Sequence, residues 1–152
     1  MSLSGSGDTF AIGAPHNQEQ GGNAGHESVY YWDTNSTVPS WKAHGQDIDG
    51  EADDWLGAEG SVALSEDGAT LVAGAPGYNN TKPGNVTIYH WNGIIWEQGQ
   101  VIHGEHDGNH FGRSVSLSED GLVLAVGAYG NSDNGYKLGF VQIYSFNEAE
   151  SK

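Results

Sequence analysis

Apolar and polar residues alternate along this chain in short runs, and the runs recur. From Gly60 onward four of them carry the two-residue period of half-buried strands. The first, 61–65, directs Val62 and Leu64 to one face, and Glu66-Asp67-Gly68 turns the chain back into a second at 70–75. Asp-Gly suits that reversal because glycine enters φ > 0 without a Cβ clash. A third run, 85–91, leads into Asn92-Gly93, a strong hairpin signal, and 94–102 is the fourth. Together they predict a four-stranded antiparallel meander.

The pattern is written three times. The segment from Leu64 to Pro76 has counterparts beginning at Leu3 and Leu117, spacings of 61 and 53. A second block, Thr87-Ile88-Tyr89-His90-Trp91, is matched by Ser28-Val29-Tyr30-Tyr31-Trp32 and Gln142-Ile143-Tyr144-Ser145-Phe146, spacings of 59 and 55. Such a period, built from short β runs, predicts an all-β repeat architecture with one small sheet per unit, the blades of a β-propeller. The repeats fall near 1–56, 57–111 and 112–146, with 147–152 as a tail: two full repeats and a partial third within one repeat domain. Propellers close with about four to eight blades. This segment therefore predicts an incomplete ring, either a fragment of a longer chain or a subunit that oligomerises.

Small residues stand at one point of every second strand: Ala11-Ile12-Gly13-Ala14, Val72-Ala73-Gly74-Ala75 and Ala125-Val126-Gly127-Ala128. They imply crowded backbones, as at the axis of a radial array. Bulk lies further out. Trp32, Trp41, Trp91, Trp96 and Phe146 are expected to form core between neighbouring sheets.

Phe111-Gly112-Arg113-Ser114-Val115-Ser116-Leu117-Ser118, continuing to Leu124-Ala125-Val126-Gly127-Ala128, resembles the FG-GAP repeat of integrin α-subunit propellers. Gly13-Ala14-Pro15 and Gly74-Ala75-Pro76 supply the second half of the name. The resemblance is closest to the calcium-free variety, with a tight turn between the first two strands and a Trp96-Glu97-Gln98 strand after the third. There are departures: Leu56-Gly57 replaces Phe-Gly once, and Tyr129 replaces the proline of the third copy. The turns Ser4-Gly5-Ser6-Gly7, Ser65-Glu66-Asp67-Gly68 and Ser118-Glu119-Asp120-Gly121 are too short to offer the six or more oxygens calcium takes. The resemblance implies a non-enzymatic surface or extracellular module that mediates protein contacts, adhesion or assembly. Other readings of the same scaffold are part of a carbohydrate-active enzyme or carbohydrate-binding propeller, and a structural subunit of a larger oligomer.

Charge narrows the partners. Twenty acidic residues against five basic leave a net charge of −15, which repels nucleic acid and anionic membranes. No run approaches the roughly 20 apolar residues needed to span a bilayer. No cysteine is present to form a disulfide or thiolate site, and any export signal is expected upstream of Met1. Protein or carbohydrate remains as the expected partner.

Binding is expected on the loops joining second to third strands, at Gln18, Asn23, Tyr78, Asn79, Asn80, Asn131, Asp133 and Asn134. Asp47, Asp49, Glu51 and Asp53 bring hard oxygens around Gly50, as calcium requires. Because Gly50-Glu51 is repeated as Gly104-Glu105, a solvated acidic connector is the preferred reading, and calcium is the one cofactor entertained. His103, His106 and His110, with Glu105 and Asp107, have zinc-like spacing but read better as surface-loop residues. Asn35, Asn79 and Asn85 each head a glycosylation sequon, the first two in expected loops. No Ser-His-Asp order, phosphate-cradling loop or catalytic carboxylate pair stands out, and no enzyme activity is expected.

Overall fold

The computed structural model describes residues 1–130 and 139–147. Among them there is no helix, and the strands form three antiparallel sheets, none of which closes on itself. The first sheet orders β1 (Ser2–Leu3), β2 (Thr9–Gly13), β3 (His26–Asp33) and β4 (Ser40–Ala43), with β5 (Ile48–Asp49) also paired to β3. The second is β6 (Val62–Leu64), β7 (Thr70–Ala75), β8 (Asn85–Trp91) and β9 (Trp96–His103). The third is β10 (Ser114–Leu117), β11 (Val123–Ala128) and β12 (Phe140–Ser145). These are propeller-type blades, two complete and one of three strands.

The turns fold as their residues dictate. The Asp67 carboxylate accepts the Ser65 hydroxyl at 2.6 Å and the Ala69 amide at 2.9 Å, while Ser65 Oγ accepts the Thr70 amide at 2.9 Å. Ser118 and Asp120 repeat the arrangement. The carboxylates are thus consumed within the turn. At the outer hairpin Asn92 Oδ1 accepts the amides of Ile94 and Ile95.

Sheets stack through alternating side chains. Ala11 and Val29 from the first sheet meet Val62, Leu64, Leu71, Ala73 and Trp96 from the second in one core. Ala63, Val72, Val86 and Ile88 carry the opposite face of the second sheet against Leu124, Val126 and Ala128 of the third. Each Leu, Val or Phe so covered contributes roughly 1.5–3 kcal/mol. Main-chain bonds reinforce the stack. The Gly5 amide donates to the Glu66 carbonyl at 2.8 Å, and the Glu66 amide to the Glu119 carbonyl at 2.9 Å, so equivalent turn residues of successive sheets are linked in series.

The small residues of the second strands have a more particular cause than an axis. A Cβ on Gly13 would lie 2.2 Å from the Gly57 carbonyl oxygen, and one on Gly74 would lie 2.3 Å from that of Gly112. The hydrophobe-glycine turns that open the second and third sheets, Leu56-Gly57 and Phe111-Gly112, press on the second strand of the sheet before. It is the first strands, β1, β6 and β10, that run close together between sheets. The tryptophans also divide. Trp96 is buried and Trp91 packs beside it, but Trp32 and Trp41 are 41% and 42% exposed. They pair across β3 and β4 on a face that no described sheet covers.

Candidate functional site

The connectors between sheets lie along the loops that join second to third strands, and hydrogen bonds fix them there. Asp53 and Trp55 donate their amides to Gly22 and Asn23 of the first sheet's loop. In turn Asp54 and Asp53 accept the amides of Gly77 and Tyr78 from the second. Asn23, Asp53 and Trp55 hold φ of 49°, 63° and 58°, a region non-glycine residues rarely adopt. His110, the counterpart of Trp55, has φ 53°, so this backbone belongs to the repeat. The side chains it displays do not.

At the junction of the first two sheets those side chains form an aromatic rim. The Trp55 ring lies 5.6 Å from Tyr78 in an edge arrangement and 6.1 Å from His16, which is 6.3 Å from Tyr78. Arg113 places its guanidinium 5.6 Å from the Trp55 ring centre and donates to the Glu59 carbonyl. His16 Nδ1 and Asn23 Oδ1 are 3.4 Å apart. The buried Trp55 indole N–H has no acceptor among the described residues. Lys82 braces the loop, with Nζ 2.5 Å from Asp54 Oδ1 and 2.7 Å from the Ala52 carbonyl. The next junction is built differently. Buried His110 stacks on Tyr129 at 4.9 Å and makes contacts through Nδ1 to the Pro76 and Gly77 carbonyls and through Nε2 to Asn80.

The expected binding residues are therefore partly brought together. Asn23 and Tyr78 join the rim, Asn79 is exposed beside it, and Asn80 is engaged by His110. Gln18 is exposed on the same first-sheet loop, its carbonyl accepting the Gly21 amide. Asn131, Asp133 and Asn134 lie outside the described residues. His16 belongs to the expected second-to-third-strand loop, whereas Trp55 and Arg113 fall outside the sequence expectation. Their sequence neighbourhoods carry no binding pattern, and only the left-handed backbone at Trp55 turns its ring into the cluster.

The acidic run splits. Ile48 buries its side chain, and the two-residue period sends Asp47 and Asp49 the other way, onto His26. His26 Nδ1 is 2.8 Å from Asp49 and Nε2 3.6 Å from Asp47. Exposed Glu51 offers its amide to Asp54, and Asp53 sits in the rim connector. Among the described residues no three His, Cys, Asp or Glu side chains converge in a metal-holding arrangement. The three histidines are likewise apart in role: His103 pairs in β9, His106 is exposed in the connector and His110 is packed. Of the sequon residues, Asn35 and Asn79 are exposed, while Asn85 is half-buried in β8 between Ala75 and His103.

Comparison with known proteins agrees with this geometry. Residues 104–144 match the model of the FG-GAP repeat. The match falls on the third repeat. Its Phe111-Gly112 is the turn that presses on Gly74, and its Gly127-Ala128 is the matching second strand. No curated protein sequence matches the chain. Among solved structures, a candidate 6-phosphogluconolactonase from Bacteroides uniformis matches 99% of this chain with a TM-score of 0.52 and 15% identity. This chain covers 36% of that one, and at such identity the likeness concerns fold alone. No described helix is long and apolar enough to cross a membrane.

Proposed function

We propose that this FG-GAP-containing chain is a non-enzymatic recognition module, working outside the cell or on its surface, that makes protein contacts through the rim at Trp55 and Tyr78. The carrying observation is that cluster itself. Tryptophan, tyrosine and arginine are the residues that dominate protein interfaces, because large rings bury much area with few rotatable bonds. Here they are gathered on a braced connector, with exposed Asn79 and His16 at its margin. The FG-GAP repeat and the exposed sequons at Asn35 and Asn79 support the surface location. Aromatic rings beside amide side chains also suit sugars, which is the second reading of the same rim.

The chain, with Tyr78→Ala and Asn79→Ala variants of unchanged circular dichroism, is titrated against a panel of purified surface proteins and against a glycan array. Protein binding that Tyr78→Ala weakens about tenfold or more supports the proposal. Binding confined to glycans transfers the site to carbohydrate recognition. Protein binding that neither variant changes removes the rim from consideration.

A further inference from the structure

The two joints between sheets use equivalent positions in different ways. At the second, rings meet: Phe111 lies 6.2 Å from Phe140 and 6.5 Å from Tyr144, centre to centre. At the first, register puts Asn85 where Phe140 stands, since each pairs with the last alanine of its second strand, Ala75 and Ala128. Leu56 takes the place of Phe111, each bridged to the glycine just before a third strand, Gly25 and Gly84. Tyr89, the counterpart of Tyr144, is left beside a cleft of about 330 Å³, within the size range of small-molecule sites.

The lining is polar. Asn85, Thr87 and Tyr89 of β8 reach it together because alternate residues of a strand share a face. Opposite them β9 is bulged: Tyr89 pairs with Gln98 but Thr87 with Val101, so one extra residue is taken up and both Gln98 and Val101 line the cleft. Asp49, Glu51 and Asp54 of the connector complete it. Across the same joint Glu27 projects from β3 toward the second sheet, 0% exposed, with neither oxygen hydrogen-bonded among the described residues, and its charge is felt by Tyr89. A buried acid in that condition lowers stability and calls for a cause. Val86, Phe111 and Phe140 of the second joint have thus become Glu27, Leu56 and Asn85 at the first, smaller or polar in concert.

Charge decides among ligands. Asp49 is engaged by His26 and Asp54 by Lys82, which leaves Glu51 as the one lining carboxylate outside an ion pair among the described residues. So little free charge offers weak purchase to a cation, and the same carboxylates repel an anion. Carboxylates that accept and amides that both donate and accept match the hydroxyls of a neutral sugar, and the Tyr89 ring gives it an apolar face. We infer that the cleft between the first two sheets is a binding site for a neutral saccharide, with Asn85, Gln98 and Glu51 taking its hydroxyls. This goes beyond the protein-contact reading of the rim and uses none of the rim's rings.

The intact chain, ¹⁵N-labelled, is titrated with glucose, galactose, mannose, N-acetylglucosamine, lactose and cellobiose, and with putrescine as a cationic control. Saturable shifts at the amides of Asn85, Gln98 and Glu51 are expected with at least one sugar and not with putrescine. Asn85→Phe, which restores the residue of the second joint, should weaken that binding at least about tenfold by filling the cleft. Gln98→Ala, at an exposed position, should weaken it about two- to tenfold through one lost hydrogen bond, and it carries the test should Asn85→Phe fail to fold. Tyr78→Ala should leave sugar binding unchanged, so that failure of the rim reading and failure of this one are separate results. The inference is overturned if no sugar shifts those amides, if putrescine shifts them and the sugars do not, if the shifts gather around Tyr78, or if the folded variants bind as the parent does.

Discussion

Glu27 offers the sharpest test of how the sheets are joined. It lies on β3 in register with Gly13 and Ile48, faces the second sheet, and is 0% exposed, with neither carboxylate oxygen hydrogen-bonded among the described residues. Loss of hydration pushes its pKa well above the usual carboxylate range, and the half-buried Tyr89 hydroxyl is pushed up by its own loss of hydration and by the Glu27 charge. Its counterparts, Val86 opposite Gly74 and Val141 opposite Gly127, are valines. Glu27→Val should therefore stabilise the fold at neutral and alkaline pH. Relief of an unsatisfied buried polar group is worth about 1–3 kcal/mol. A residual void of about 30 Å³, one water's share of liquid volume, costs about 0.7 kcal/mol at roughly 24 cal/mol per Å³. The net gain is about 0.3–2.3 kcal/mol, and at about 2–4 °C per kcal/mol for a chain of this size the melting temperature rises about 1–9 °C. The dependence on pH has a definite sign. The folded state holds the proton more tightly than the unfolded chain, so Glu27's contribution is complete below the unfolded carboxyl range near pH 4 and is lost as pH rises through the elevated folded value. Urea denaturation followed by tryptophan fluorescence at several pH values between 4 and 9 measures the gap. A Glu27→Val chain less stable than the parent at pH 8, or a gap that does not widen with pH, would refute the reasoning.

Gly74→Ala should destabilise by about 2 kcal/mol or more, since the new methyl meets the Gly112 carbonyl and Ser61. Gly22→Ala, with open space around it and no positive φ, should change the denaturation midpoint little. Phe111→Ala should cost about 3–5 kcal/mol in the same assay, as a fully buried ring at the second joint. Asp33 is held down to about 2 by Lys42 first, then by Ser36 and the Asn35 amide, with Lys42 Nζ 2.6 Å away. Its contribution to stability is present above the unfolded aspartate range near pH 3.9 and is lost as pH falls toward 2. Asp33→Asn should flatten the acid limb of the stability curve between pH 2 and 4, read by circular dichroism.

What the sequence makes legible follows from what repeats. Strand periodicity, the Asp-Gly and Asn-Gly turns and the small second-strand residues place Thr70–Ala75 and Asn85–Trp91 with the bounds observed. Those signals are local and written more than once. The role of Gly13 and Gly74 is not local, because the atom that excludes a side chain comes from the next repeat, and only the assembled sheets show that it is a carbonyl. Trp32 and Trp41 read as core for the same reason that Trp91 and Trp96 do, and differ only in having no sheet beyond them. Glu27 escapes notice because a lone acid looks like surface until Gly25, Gly84 and Gly139 align it with two valines. Trp55 depends on a left-handed φ that no residue type announces. The run from Asp47 to Asp53 reads as one cluster, yet a buried isoleucine in its midst throws its members in different directions.

The serial bonds from Gly5 to Glu66 to Glu119 use amides and carbonyls, groups every repeat possesses whatever its side chains. A coupling of that kind is blind to divergence: a duplicated unit arrives already equipped to join its neighbour, and later drift in its exposed loops leaves the connection intact. Lineages carrying such a chain could lengthen it by copying and then retune each rim separately, with the hydrophobe-glycine turn as the one inheritance that must be kept.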